Sequence, residues 1–567
     1  MLSVEKRDYP MKRFRIDARD FVYGGVLVFA TVALRLAFGW PTTDDAYITF
    51  RYADNLAHGR GFVFNVGERV LGTTTPFFTM LMAVASILFG TPRLPLVANV
   101  VSLASDSVTA IFVYMLARAV WRHRVIGLAC GLMFAMVPDN VVLSTLGMES
   151  PFFTMLVVVG VWGALTNRQG LAYGCTSLAT LTRPEGVLLW FFLTAALYAK
   201  RVPIRWRTVA IAAVPVAAWA IFAWLYFGSV IPNSVRAKSV AYSSFDWNGD
   251  WLDRVIQRAL YWPNGMNMLN YFSGFFSKSH AKADYLYLTF AAALPIFVLL
   301  GMGVAELKRY GREWLVMPAF VATLAIGYAF ADTLFFGWYI LPVAPFTVLC
   351  LVAGVRYLAR LQAELVPLCR EWRWLRPAKL SVIGAFFLVA NQAYFWHEVN
   401  ETLKLESILP SQMQLGFIPP TRELAYAEAA KRLAPRIQPG SRDRVLTAEV
   451  GIIAFYLPHA RVYDTFGLVT PAAVEYYKRD KKANNAIVDP VIEILRPDFI
   501  VCLEDWFASR RSPWFNERFR YVTKTHASGW GKGTVYVYER VADIGAATAK
   551  SGNSVASDKI LSAAGTR

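Results

Sequence analysis

Trp40-Pro41-Thr42-Thr43-Asp44-Asp45-Ala46-Tyr47 follows directly on the first strongly apolar segment of this 567-residue chain, residues 21–39. Two adjacent carboxylates beyond the end of a hydrophobic helix belong at a bilayer surface, because charge is costly inside hydrocarbon. The residues behind them repeat the apolar theme. Runs approaching the roughly 20 residues needed to cross ~30 Å of hydrocarbon lie at 95–119, 125–138, 150–166, 171–182, 186–199, 208–227, 285–305, 314–332, 338–355 and 379–396. The runs at 125–138, 171–182 and 186–199 are short and need tilted partners. The reading is an α-helical polytopic membrane protein with about eleven transmembrane helices.

Composition agrees. Hydrophobic residues make up 56% of the chain, aromatic residues 15%, and the mean hydropathy is +0.38, which excludes a large soluble enzyme. The net charge of +18 would fit nucleic acid, but no basic stripe with stacking aromatics stands outside the inter-helical loops. Cytoplasmic loops that collect Lys and Arg explain the charge without a nucleic-acid partner. The five cysteines, Cys130, Cys175, Cys350, Cys369 and Cys502, form no CxxC pair and imply neither a disulfide framework nor a zinc site. The first apolar segment has the basic flank of a signal peptide but no A-x-A cleavage site, so it is expected to stay as a helix.

Orientation follows from the basic loops. Lys6, Arg7, Lys12, Arg13, Arg15 and Arg19 place residues 1–20 in the cytoplasm. Alternate counting then puts Arg122, Arg124, Arg168, Lys200, Arg201 and Lys308 on the same side. That count treats the apolar stretch 77–90 as a helix lying at the outer surface, since fourteen residues are too few to span. The transmembrane module is therefore expected over 21–396, with a first outer loop at 40–94. After Trp396 continuous apolar runs stop. Short strand-like segments at 444–447, 460–463, 498–501 and 534–538 alternate with helical patterns near 421–434, 449–457 and 471–479, predicting a small periplasmic α/β domain over 397–543. The Ala-, Ser-, Gly- and Lys-rich residues 544–567 have the composition of a disordered tail.

Chemistry concentrates in the first outer loop. A helix opening at Asp44 and running to Ala57 puts Asp44 and Arg51 on one face, with Asp45 about 100° away. One carboxylate can then face a membrane-surface cavity while its neighbour packs or caps the helix. Asp44-Asp45 lacks DxD spacing, so a divalent cation held by Asp44, Asp45 and Glu149 is allowed and not required. His58 and His280 stand outside any ligand cluster.

Residues 44–53, DDAYITFRYA, and 59–70, GRGFVFNVGERV, resemble the first periplasmic loop of GT-C glycosyltransferases. The nearest likeness is to mycobacterial terminal arabinofuranosyltransferases and related bacterial membrane glycosyltransferases. Gly147-Met148-Glu149-Ser150, Thr182-Arg183-Pro184-Glu185-Gly186, Ile231-Pro232-Asn233-Ser234, Gly337-Trp338-Tyr339 and Tyr463-Asp464-Thr465-Phe466-Gly467-Leu468 follow in family order. The resemblance implies transfer of a sugar from a polyprenyl-phosphate donor to a cell-envelope glycan or lipid acceptor on the periplasmic face of the inner membrane. It also implies a catalytic carboxylate at Asp44 or Asp45. Such a group activates a poorly nucleophilic hydroxyl, and fixed cations must meet the departing phosphate. Arg51, Arg183, Arg236 and Lys238 are the expected donor phosphate-binding residues. Glu149, Glu185, Tyr339 and Asp464 are the expected acceptor-orienting ones.

Plainer roles stand beside these. Arg183 and Glu185 could pair with each other, Arg236 and Lys238 could be loop charges, and Trp338 and Tyr339 could belong to an interfacial aromatic belt. Asp106 falls in the middle of the second span. It marks either a buried, hydrogen-bonded acid or a transporter or flippase of lipid-linked glycans.

Overall fold

The computed structural model describes residues 17–40, 42–240, 282–330, 336–339, 341–365, 421–440, 442–479, 487–527 and 533–541. The candidate span at 379–396, the C-terminal tail and most of the N-terminal basic cluster lie outside these residues.

The helical part begins with α1 (Ala18–Phe38), α2 (Asp44–Ala57), α3 (Pro76–Phe89), α4 (Leu94–Trp121), α5 (Arg124–Met136) and α6 (Pro138–Leu143). It continues with α7 (Ser150–Leu165), α8 (Gln169–Thr182), α9 (Val187–Ala199), α10 (Trp206–Phe227) and α11 (Asn233–Val240). After residue 281 come α12 (Lys282–Tyr310), α13 (Val316–Phe330) and α14 (Ala344–Leu365). Among the described residues four helical stretches are long and apolar enough to cross a membrane: Ala18–Phe38, Thr91–Trp121, Trp206–Phe227 and Leu341–Leu361. On α10, Trp206, Ile211, Val214, Trp224 and Leu225 are all more than half exposed. An outward apolar surface of that kind is what a lipid-facing helix presents and a water-facing one avoids.

Asp106 lies on α4, fully buried. Arg35 of α1 donates to its Oδ2 from Nε at 2.9 Å and from Nη2 at 2.5 Å. The remaining guanidinium nitrogen reaches Ala135 O at 2.5 Å. An uncompensated charge at bilayer depth costs roughly 2.5–3.5 kcal/mol even on the most lenient scale. Asp106 is thus engaged in a helix–helix ion pair, the plainer of its two expected roles.

Helix α3 packs against α2, α4 and α8. Phe78, Met82 and Ala85 are turned inward, while Val84, Ile87, Leu88 and Phe89 stay exposed.

The C-terminal unit contains α15 (Thr421–Leu433), β1 (Arg444–Thr447), α16 (Val450–Tyr456), β2 (Arg461–Asp464), α17 (Pro471–Arg479), α18 (Asp489–Leu495), β3 (Phe499–Leu503), α19 (Pro513–Arg518), β4 (Phe519–Ala527) and β5 (Gly533–Arg540). The strands form one sheet in the order β2-β1-β3-β5-β4. Strands β2, β1 and β3 run parallel, whereas β5 is antiparallel to β3 and to β4. Val445, Leu446, Ile500, Val501, Val535 and Val537 are buried in the sheet. Helix α15 covers β4 and β5, and the Tyr426 hydroxyl accepts from Leu503 N at 2.8 Å.

This unit sits directly on the segment between α2 and α3. Asn65 makes a two-way bond with β2, donating to Val462 O and accepting from Val462 N, both at 3.0 Å. Tyr463 donates from its hydroxyl to Glu68 Oε1 at 2.8 Å.

Candidate active site

Helix α2 presents two polar faces at its first turn. Asp44, Tyr47 and Arg51 follow i, i+3, i+7 spacing and turn toward the C-terminal unit. Asp45, Ile48 and Thr49 turn the other way and line a cavity of about 460 Å³. The two adjacent aspartates therefore serve different surroundings, because successive residues on a helix diverge by about 100°.

The cavity is closed by residues from many segments. Thr73, Thr74 and Thr75 come from the segment between α2 and α3, and Glu149 precedes α7. Arg183, Pro184 and Glu185 come from the turn between α8 and α9. Ser234, Lys238 and Ser239 belong to α11, and Tyr328 to α13. Trp338 and Tyr339 stand on a single 3-10 turn, and Leu468 reaches in from the C-terminal unit.

Arg183 organises the acidic side. Its Nη1 donates to Glu149 Oε1 at 2.9 Å and to Ser150 Oγ at 3.0 Å. Its Nη2 and Nε reach Glu185 at 3.1 and 3.4 Å. The Tyr328 hydroxyl also donates to Glu185. Burial works against the charged form of Glu185, but Arg183 and Tyr328 outweigh it and hold the carboxyl below its ordinary value. Glu149 has only one arm of the guanidinium. Burial dominates there, helped by the carboxylates of Glu185 and Asp45, and its carboxyl is pushed up. Both the expected Arg183–Glu185 pairing and a place at the cavity are realised in one residue.

Lys238 organises the opposite side. Its Nζ donates to the Tyr339 hydroxyl at 3.0 Å and lies 5.3 Å from the Phe336 ring. Tyr339 also stacks on Tyr328 at 4.8 Å. Arg183 also lies 5.3 Å from the Tyr339 ring.

Of the residues expected at a site, Asp45, Glu149, Arg183, Glu185, Lys238 and Tyr339 come together around this cavity. Four others do not line it. Asp44 is buried and accepts from Gly451 N at 3.1 Å and Ile452 N at 2.7 Å, at the start of α16. Burial pushes its carboxyl up to about 7, with Asp45 and Glu423 adding to the push. Arg51 spends its guanidinium on the carbonyls of Phe64, Pro458 and Ala460, at 3.1, 3.0 and 3.4 Å. Asp464 accepts from Leu468 N at 2.5 Å and Val469 N at 2.9 Å, shaping the turn that delivers Leu468. Arg236 is exposed on α11, outside the cavity lining.

The cation set that the sequence allowed, Asp44 with Asp45 and Glu149, is not assembled, since Asp44 turns to the backbone of α16. Among the described residues no group of three His, Cys, Asp or Glu side chains is arranged to hold a metal ion.

The cavity also holds residues that sequence reasoning missed. Thr73, Thr74 and Thr75 form a hydroxyl run, with Thr73 Oγ1 and Thr75 Oγ1 3.1 Å apart and Thr49 Oγ1 3.4 Å from Thr75 Oγ1. The only signal was the triplet itself, between Gly72 and the helix-starting Pro76. Tyr328 gave none, being one aromatic among many in an apolar helix.

A family profile described as a domain of unknown function (DUF8728) matches residues 413–546, the C-terminal unit. No curated protein matches the chain in sequence. Among solved structures, ArnT from Cupriavidus metallidurans bound to undecaprenyl phosphate is similar with a TM-score of 0.50 at 14% identity, covering 92% of this chain and 98% of that one. The apo state of the same protein gives a TM-score of 0.47 at 15% identity, with the same coverage. The first likeness shows the fold alone: apolar helices followed by a small C-terminal sheet domain, arranged as in that protein. It does not reach the finer resemblance to arabinofuranosyltransferases.

Proposed function

We propose that this chain is a membrane glycosyltransferase that moves a sugar from a polyprenyl-phosphate donor to a hydroxyl of a cell-envelope glycan or lipid. The observation that carries this reading is the meeting of Asp45 with Lys238 and Arg183 around one cavity. The GT-C fold, shared with a protein crystallised with undecaprenyl phosphate, supports a lipid carrier.

In this reading the acceptor oxygen attacks the anomeric carbon. The carbon–oxygen bond to phosphate breaks, and Asp45 takes the hydroxyl proton. The carrier leaves as a phosphate monoester that bears more negative charge than the bound diester. Lys238 faces that charge as a point cation, and Arg183 adds a guanidinium already fixed by Glu149 and Glu185. The hydroxyls of Thr73–Thr75 and the rings of Trp338 and Tyr339 offer hydrogen-bonding and stacking surfaces for a sugar. Asp44, Arg51 and Asp464 hold the frame in place. The cavity opens on the extracytoplasmic side in this account, with the C-terminal unit in the periplasm.

The test uses purified protein in lipid with a panel of polyprenyl-phosphate sugars and envelope glycan acceptors, read by mass spectrometry. One donor should extend an acceptor by one sugar residue. Glycan movement across sealed vesicles with no covalent extension would replace this reading with transport.

A further inference from the structure

Two anchors tie the C-terminal unit to the segments that carry Asp45 and Lys238. At the first, the Asp44 carboxylate receives the backbone N–H groups of Gly451 and Ile452. Contact there is backbone to backbone, for a Cβ on Gly451 would stand 2.1 Å from Asp44 O and 2.8 Å from Ile48 N. Glycine at 451 is therefore required by close approach. Arg422 pins the flank, bonding Glu423 at 3.1 Å and Glu449 at 3.3 Å, and Thr43 reaches Glu423 at 3.4 Å. The second anchor is Asn233, the first residue of α11. Its Nδ2 donates to Gly467 O at 2.6 Å and Leu468 O at 3.2 Å. Its own N–H bonds Leu71 O at 2.7 Å. Leu468, one of the two residues gripped there, lines the cavity itself.

We infer that the C-terminal unit is a positioning part of the active site, with Asp44 and Asn233 as the two residues that hold Asp45 and Lys238 at their working separation. The inference rests on the glycosyltransferase reading. Asp45 follows Asp44 in the same helical turn, so a shift of that turn moves both side chains. Lys238 lies five residues after Asn233 on α11, so the register of that short helix depends on its tethered start. One unit grips both starting points, and neither anchoring side chain lines the cavity. Misplacement of a reacting group by about 1 Å can lower a rate by about 10²-fold.

The experiment compares full-length wild type, Asp44→Asn, Asp44→Ala, Asn233→Ala and Asp45→Asn in lipid, with the donor found active for wild type. Rates are expressed per folded molecule, and donor affinity is measured separately. The expected result is a kcat lowered by about tenfold to 10²-fold in Asp44→Ala and Asn233→Ala, with donor affinity within about threefold of wild type. Asp44→Asn, which keeps one acceptor oxygen, should recover part of the loss. Asp44→Ala added to Asp45→Asn should cost little more than Asp45→Asn alone, because residues acting through one group are not additive. Unchanged kcat per folded molecule in the Asp44 and Asn233 variants, beside an inactive Asp45→Asn, overturns the inference and leaves the proposed function standing. Fully additive losses in the double variant overturn it too. If Asp44→Ala does not fold, Asp44→Asn and Asn233→Ala decide the matter by the same kcat criterion. Absence of sugar transfer by wild type with every donor would instead sink the underlying reading.

Discussion

Asp44 and Asp45 are neighbours in sequence and strangers in surroundings. Asp45 lines the cavity, while Asp44 caps the backbone of a helix more than four hundred residues away. The sequence could announce a carboxylate pair and the divergence of its two side chains. It could not say which member faced inward, because that depends on where Gly451 and Ile452 arrive. Arg51 shows the same limit. Its charge and position fitted a phosphate site, but its donors go to the carbonyls of Phe64, Pro458 and Ala460. In the proposed reaction Lys238, which lines the cavity, is the more direct cation for a departing phosphate. Replacing it in Lys238→Gln removes a charged hydrogen bond, an interaction of about 1.5–3 kcal/mol. Steady-state kinetics should show kcat/KM lower by about tenfold to a hundredfold, and a loss under about twofold would remove Lys238 from the donor site.

Helix α2 joins membrane module to C-terminal unit. Its Tyr47 ring packs on Phe455 of α16 at 5.0 Å, beside the buried carboxyls of Asp44, Glu423 and Glu449 and the guanidinium of Arg422. Asp45 is the next charge along the helix. Burial raises Glu449 well above its ordinary value, with Asp44 adding to the effect, and Asp44 is raised from 3.8 to about 7. The docked state therefore holds a proton that the separated state releases between about pH 4 and pH 7. Docking is strongest at the acidic end and weakens as pH rises through about 7. Limited proteolysis at the α2–α16 junction should become faster from about pH 5 to about pH 8, and Asp44→Asn should flatten part of that rise. A junction that loosens toward low pH would contradict this sign.

The elements themselves were largely legible. Residues 44–57, 471–479 and 444–447 behave as their patterns predict, since local periodicity and turn residues determine them. Strand β4 and the helices α18 and α19 were missed. The β4 stretch Phe519–Ala527 carries Arg, Lys, His and Thr among its apolar residues, and only its pairing with β5 makes it a strand.

The molecule as a whole places its chemistry where several separate segments meet. Glu149, Arg183, Lys238, Tyr339 and Leu468 are far apart in sequence, and each stands next to a turn or a helix end. Family-like motifs marked those segments in advance. What the motifs could not give was the division of labour between cavity and scaffold: Asn65, Asn233 and Asp464 serve backbone contacts that exist only once the C-terminal unit has docked or folded. The fold thus accounts for a site that a single segment could not build.

The most direct test is a single-turnover measurement with an active polyprenyl-phosphate sugar, comparing wild type with Asp45→Asn for both donor binding and release of polyprenyl phosphate. The account predicts donor affinity close to wild type and a transfer rate lower by about 10²–10⁴-fold in the variant. A variant that binds the donor and transfers its sugar at the wild-type rate would contradict the account.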